Sequence, residues 1–161
     1  MFGFLAHPEL TRESAATGEG AGNYGTLDAI EALRWLRANA AAFGGDPARI
    51  TIAGQSAGAA LVNDLLVSPR AKGLVVGAIP QSGAAMGIPP APLAEAERRG
   101  VELARRVGAT SLAALRAVPA AALQAANPSR FGAPPGAPEP LPFQPVIDGV
   151  VLPVDPVDGA A

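Results

Sequence analysis

The segment Gly54-Gln55-Ser56-Ala57-Gly58 has the residue types and spacing to do chemistry. It matches G-x-S-x-G, the nucleophile elbow, in which a serine sits on a tight turn between a strand and a helix. Side chains two positions either way from the serine would collide in such a turn, and Gly54 and Gly58 remove that clash. The turn lifts the serine oxygen above the carboxyl end of the strand. The helix that follows points its positive N-terminus at any oxyanion formed there. On this reading Ser56 attacks a carbonyl carbon and the Ala57 N–H is one oxyanion donor. The pentapeptide itself lacks the G-x-G-x-x-G spacing of a dinucleotide-binding turn.

A serine hydroxyl is a poor nucleophile until a base takes its proton and an acid orients that base. The sequence has one histidine, His7, which precedes the serine in Ala6-His7-Pro8-Glu9 and reads as part of a surface loop, not as the base. Asp148 and Asp155, in the loop-rich end, read as turn caps. With no cysteine there is no disulfide, no thiolate zinc site and no cysteine nucleophile. No cofactor or metal is expected.

The elements that would position Ser56 follow from periodicity. From Thr26 to Asn39 the apolar residues Leu27, Ile30, Leu33 and Leu36 form a helical stripe. Gly44-Gly45-Asp46-Pro47 stops that helix. Ile50 to Ala53 is a short β-branched run that reads as a buried parallel strand, and residues 57 to 67 resume helical character up to Ser68-Pro69. Leu74 to Ile79 reads as a second strand, closed by Gln81-Ser82-Gly83. Leu93 to Val107 predicts an amphipathic helix with Glu95/Arg99 and Glu102/Arg106 paired at i,i+4, followed by short helices around Leu112 to Val118 and over Ala120 to Ala126. Residues 1 to 25 read as surface loop. Residues 128 to 145, with seven prolines, read as an extended loop within the same domain. Gln144 to Pro156 reads as two extended pieces around Asp148-Gly149. Alternating helix and strand is the order of a parallel α/β sheet, here a thin one.

Composition narrows the function classes. A chain of 161 residues that is 49% hydrophobic and 16% charged is a single globular domain and not a disordered tail. The formal net charge is −2, and no basic cluster exceeds two residues, so nucleic-acid binding has no electrostatic support. Residues 73 to 94 form an uncharged run long enough to span a bilayer, but Pro80, Pro89, Pro90 and Pro92 would leave backbone groups unsatisfied in lipid. No membrane span is expected. No secretory leader is read at the N-terminus, and localisation is left open.

Several ordered segments then resemble one family. Gly22-Asn23-Tyr24-Gly25-Thr26-Leu27-Asp28, Ala32-Leu33-Arg34-Trp35, Phe43-Gly44-Gly45-Asp46-Pro47, the Gly54 to Gly58 turn and Gln81-Ser82-Gly83 together resemble the type-B carboxylesterases, with Phe2 to Leu5 and Pro145 to Gly149 in matching order. The resemblance implies a partial α/β-hydrolase fold with an incomplete sheet, and a serine esterase acting on small carboxylic esters. It implies Ser56 as nucleophile, Ala57 as oxyanion donor, Gln55 where many members carry glutamate, and Ser82 near the site, although Ser82 also fits a capped strand end. In the family the acid and histidine follow the serine, and no histidine follows Ser56 here. The chain is therefore expected to be a central segment of one larger domain, with Met1 an internal or misassigned start. It is expected to associate with itself or with complementary segments, and to show little or no activity alone. The alternative is a non-catalytic fragment or interaction module of the same fold, against which an intact Ser56 argues.

Overall fold

A computed structural model of the chain describes residues 1–83, 89–129 and 135–159. Helix α1 (Pro8–Thr17) is followed by α2 (Tyr24–Asn39), which ends in a tighter turn over Ala40–Phe43. Strand β1 (Thr51–Gln55), helix α3 (Ala57–Val67) and strand β2 (Gly77–Gln81) come next. After these lie β3 (Ala91–Pro92), α4 (Leu93–Arg106), α5 (Leu112–Arg116), α6 (Ala120–Ala126), β4 (Val146–Ile147) and α7 (Pro156–Gly159).

β1 and β2 pair in parallel, from Thr51 opposite Gly77 to Gln55 opposite Gln81, and α3 makes the crossover between them. Such a crossover is what two adjacent parallel strands require. Ile30 and Leu33 of α2 meet Leu65 of α3, Ala71 and Val151 in one apolar cluster, with Ile50 and Ile52 packed against it. The remaining core is a cluster of Leu10, Ala21, Ala104, Leu112 and Leu115, and another of Ala6, Ala91, Ala96 and Val146. Gly100 lets α4 lie directly on the N-terminal segment, because a Cβ there would overlap the Ala6 carbonyl. The ion pairs expected along α4 are present, with Arg99 on Glu95 and Arg106 on Glu102 at 3.1 Å.

The other face of the β1–β2 pair is open. Ala53 and Ile79, opposite one another, are both exposed, and so are Trp35, Leu36, Phe43 and Val76. The stripe read along α2 is thus only half buried, since Leu36 points away from the core that takes Ile30 and Leu33.

Three expectations are corrected. The strand read as buried is parallel but half open, because Thr51, Ala53 and Gln55 are exposed on the uncovered face of the pair. Residues 1–25 are not all loop, because Pro8–Thr17 is helical. Pro8 stands at its start, His7 caps it by accepting from the Glu9 N–H at 3.2 Å, and Gly18 closes it in the left-handed region at φ 66°. Leu10 is the buried residue of this helix, so no apolar stripe announced it. The end of the chain forms no pair of extended pieces around a turn: β4 pairs in parallel with β3, and Pro156–Gly159 is helical. Asp148 does cap its turn, accepting from the N–H groups of Val150, Val151 and Leu152 at 2.9 to 3.0 Å, and Asp155 accepts from Val157 at 2.9 Å. Within the Pro-rich stretch 128–145, residues 130–134 lie outside the described residues, and 135–145 carry no helix or strand. Among the described residues, no helix is long and apolar enough to cross a membrane.

The N- and C-terminal segments are joined by Asn23. It precedes α2 but does not cap it. Instead its side chain, 1% exposed, donates to the Val146 carbonyl at 2.7 Å and accepts from the Val146 N–H at 2.9 Å. Truncation would orphan both buried backbone groups, each costing about 1–3 kcal/mol. Asn23→Ala is therefore expected to lower stability by about 2–4 kcal/mol in urea denaturation; a change under about 0.5 kcal/mol would show the bridge to be dispensable.

Candidate active site

β1 and β2 end at the paired residues Gln55 and Gln81, and the next residue in each case is a serine in the left-handed region, Ser56 at φ 53° and Ser82 at φ 54°. Non-glycine residues rarely hold such a conformation, which stores on the order of 1–3 kcal/mol and is kept only where the surroundings impose it. Here the imposing contacts are visible. The Ser56 N–H donates to the Gln81 carbonyl at 3.0 Å, and the Ser56 carbonyl accepts from Ala59 and Ala60 at 2.9 and 3.1 Å. One residue therefore closes the strand pair and opens α3.

Gly54 is the steric condition for this turn. A Cβ there would overlap the Gly58 carbonyl and lie 2.9 Å from the Ala59 nitrogen. Gly58 differs from expectation: a Cβ at 58 would meet nothing within 4 Å. The pair still acts together, because Gly58's backbone fills the space that Gly54 leaves. Gly83 is constrained as Gly54 is, since its Cβ would lie 2.8 Å from the Ser56 carbonyl oxygen and 2.8 Å from the Ala59 Cβ.

Ser56 is exposed, and its side chain makes no capping bond to α3. It opens onto a cavity of about 330 Å³ lined by Phe4, Ala57, Ala60, Leu61, Asp64, Ser82, Gly83 and the segment Phe143-Gln144-Pro145. The structure thus brings Ser56, Ala57 and Ser82 to one cavity. Gln55 is exposed at the end of β1 and is not part of this lining. His7 is buried and not in a surface loop, and it lines a different groove, with Arg12, Val101 and Arg105, away from Ser56.

Sequence reading missed Asp64. It is 4% exposed, on the cavity side of α3, and its Oδ2 is buried without a hydrogen-bond partner. Burial, and secondarily the charge of Asp155, push its carboxyl up to about 7. The signal was present: Asp64 is the single charged residue in Ala57–Val67.

A parallel strand pair crossed by a helix, with a strained serine on the turn between the first strand and that helix, defines the α/β-hydrolase class. The comparisons agree. The carboxylesterase family matches the chain over residues 1–161, and the chain belongs to it. Among relatives, the fumonisin B1 esterase of Sphingopyxis macrogoltabida is 39% identical over all of this chain and 28% of its own length. Human neuroligin-2 is 41% identical over 97% of this chain and 18% of its own. The carboxylesterase Est55 of Geobacillus stearothermophilus superposes with a TM-score of 0.80 at 38% identity, over 98% of this chain and 31% of that one. The chain spans less than a third of the length of each.

Two outcomes follow from the strain and the buried acid. Ser56→Gly is expected to raise stability by about 1 kcal/mol, because glycine holds φ 53° without penalty; an unchanged or lowered melting temperature would remove strain as a property of this turn. Asp64 binds its proton more tightly folded than unfolded, so its effect on stability is least harmful at acid pH and worsens as pH rises from about 3.8 to about 7. At 1.36 kcal/mol per unit, going from pH 5 to 8 weakens the fold by roughly 2–3 kcal/mol through this group. Asp64→Asn should lose that part of the pH dependence in urea titrations, and a variant as pH-sensitive as the parent would contradict the assignment.

Proposed function

We propose that this segment carries the nucleophile of a carboxylic-ester hydrolase. The observation that carries the proposal is the exposed Ser56 oxygen, set by a strained turn at the N-terminus of α3 and at the mouth of a mostly apolar cavity. In this mechanism the Ser56 Oγ attacks the ester carbonyl carbon as its proton passes to a base. The oxyanion that forms lies at the first turn of α3, where N–H groups have no acceptor within the helix, and the Ala57 N–H is the first of them. The intermediate collapses to an acyl-serine and expels the alcohol, and water then releases the acid. Ser82 borders the same space without a reactive role.

The base and its orienting acid come from residues outside this sequence. His7 is committed to capping α1, and Asp64 stands about 10 Å along the helix from Ala57, too far to take the Ser56 proton. Alone, the chain is expected to turn over short aryl esters barely or not at all. Prolonged incubation with a fluorophosphonate, followed by peptide mapping, should find slow modification at Ser56, lost in Ser56→Ala. Modification spread over other serines, or none at Ser56, would defeat the proposal. A rapid chromogenic burst abolished by Ser56→Ala would instead show that the base lies within this chain.

A second reading, an interaction module of the same fold, draws on the open face of the β1–β2 pair, where Ala53 and Ile79 are exposed opposite one another. Apolar surface at a sheet face promotes association. Size-exclusion chromatography should show oligomers that Ile79→Lys shifts toward monomer, and a stable monomer of the parent chain would count against self-association.

A further inference from the structure

The cavity beside Ser56 runs along one face of α3. Ala57, Ala60, Leu61 and Asp64 recur at i, i+3, i+4 and i+7, so the cavity extends two turns from the helix N-terminus. At 1.5 Å per residue, Asp64 stands about 10 Å beyond Ala57. Between them the wall is alanine and leucine, with Phe4, Phe143 and Pro145 completing the lining. Into this apolar space the fold places one carboxylate, nine-tenths buried, whose Oδ2 has no hydrogen-bond partner. Among the described residues no lysine, arginine or histidine lines the cavity, and Asp155, the charged neighbour that acts on Asp64, has the same sign.

An unpaired carboxylate in apolar surroundings is costly, and stable structures pair such groups or leave them for a ligand. We propose that this end of the cavity is an amine subsite, in which the Asp64 carboxylate receives the protonated amino group of an alkylamine. The proposal rests on the ester-hydrolase reading and deepens it by naming a substrate class, esters bearing a primary ammonium remote from the scissile carbonyl. An ammonium supplies N–H donors and an opposite charge to the carboxylate, and its alkyl stem lies along Ala60 and Leu61. The desolvation of the carboxylate has already been met in folding. Binding therefore adds only the ligand's own desolvation, against a charge-assisted hydrogen bond. A carboxylate-bearing substrate would meet the like charge of Asp64 and be rejected, which makes the same residue a source of discrimination.

The test uses the chain as it is, with hexylammonium chloride and its neutral counterpart 1-hexanol as probes, titrated at pH 8.5 by calorimetry. The ammonium is expected to bind at least ten-fold more tightly than the alcohol, with the preference falling to within two-fold in Asp64→Asn. Equal affinities in the parent, or a preference that survives in Asp64→Asn, would overturn the proposal. Fluorophosphonate modification followed in the same samples separates the two readings. Amine selectivity without modification at Ser56 defeats the hydrolase alone, and modification without amine selectivity defeats the subsite alone.

Discussion

The architecture depends on one close approach, that of the Gly58 carbonyl to the bare Cα of Gly54. With no side chain at 54, the chain can reverse from β1 into α3 within a single residue. That residue then takes a left-handed conformation, and its N–H reaches across to the Gln81 carbonyl. The serine is exposed through overdetermination, since three hydrogen bonds and a steric contact fix a conformation that serine would not choose.

The wall of the cavity opposite α3 is held from elsewhere in the chain. Phe143-Gln144-Pro145 precedes Val146, and Val146 is bonded through both backbone groups to the Asn23 side chain. Gly22 beside Asn23 leaves room for the Val146 side chain, since a Cβ there would sit 3.0 Å from it, and Gly20 leaves room for Asp148 and Val151. Gly20, Gly22 and Gly25 happen to have G-x-G-x-x-G spacing, but they follow helix α1 and not a strand, and Gly20 and Gly22 make room for the C-terminal segment. Packing across more than 120 residues therefore shapes the cavity onto which Ser56 opens.

Asp64 shows the opposite tension. Its helix is otherwise uncharged and packs against the strand pair, α2 and α7. A carboxylate there lowers stability at neutral pH, and local rules of the fold give no reason to keep it. Residues that work against the stability of their own element mark places where something other than folding has acted, and this one lies on the same cavity as the strained serine.

Several local elements were legible from residue order: the stripe of α2, the β-branched run of β1 and the span of α3 around Ser56, and the span of α6 farther off. Each is fixed by contacts within a few residues, where apolar period, glycine and proline act directly. The family, too, was readable, because its motifs are short and keep their order along the chain. What the sequence could not decide was everything set by distant partners. Helix α1 buries little and so shows no period, Asn23 gives up its capping role for a strand 123 residues away, and β4 pairs with β3 and not with an extended piece after Asp148-Gly149. Whether Gly54 or Gly58 is the indispensable glycine, and whether a single aspartate in an apolar helix faces solvent or a cavity, depends on which atoms approach from elsewhere. Burial and close contact are properties of the folded chain, and only tertiary structure could assign them.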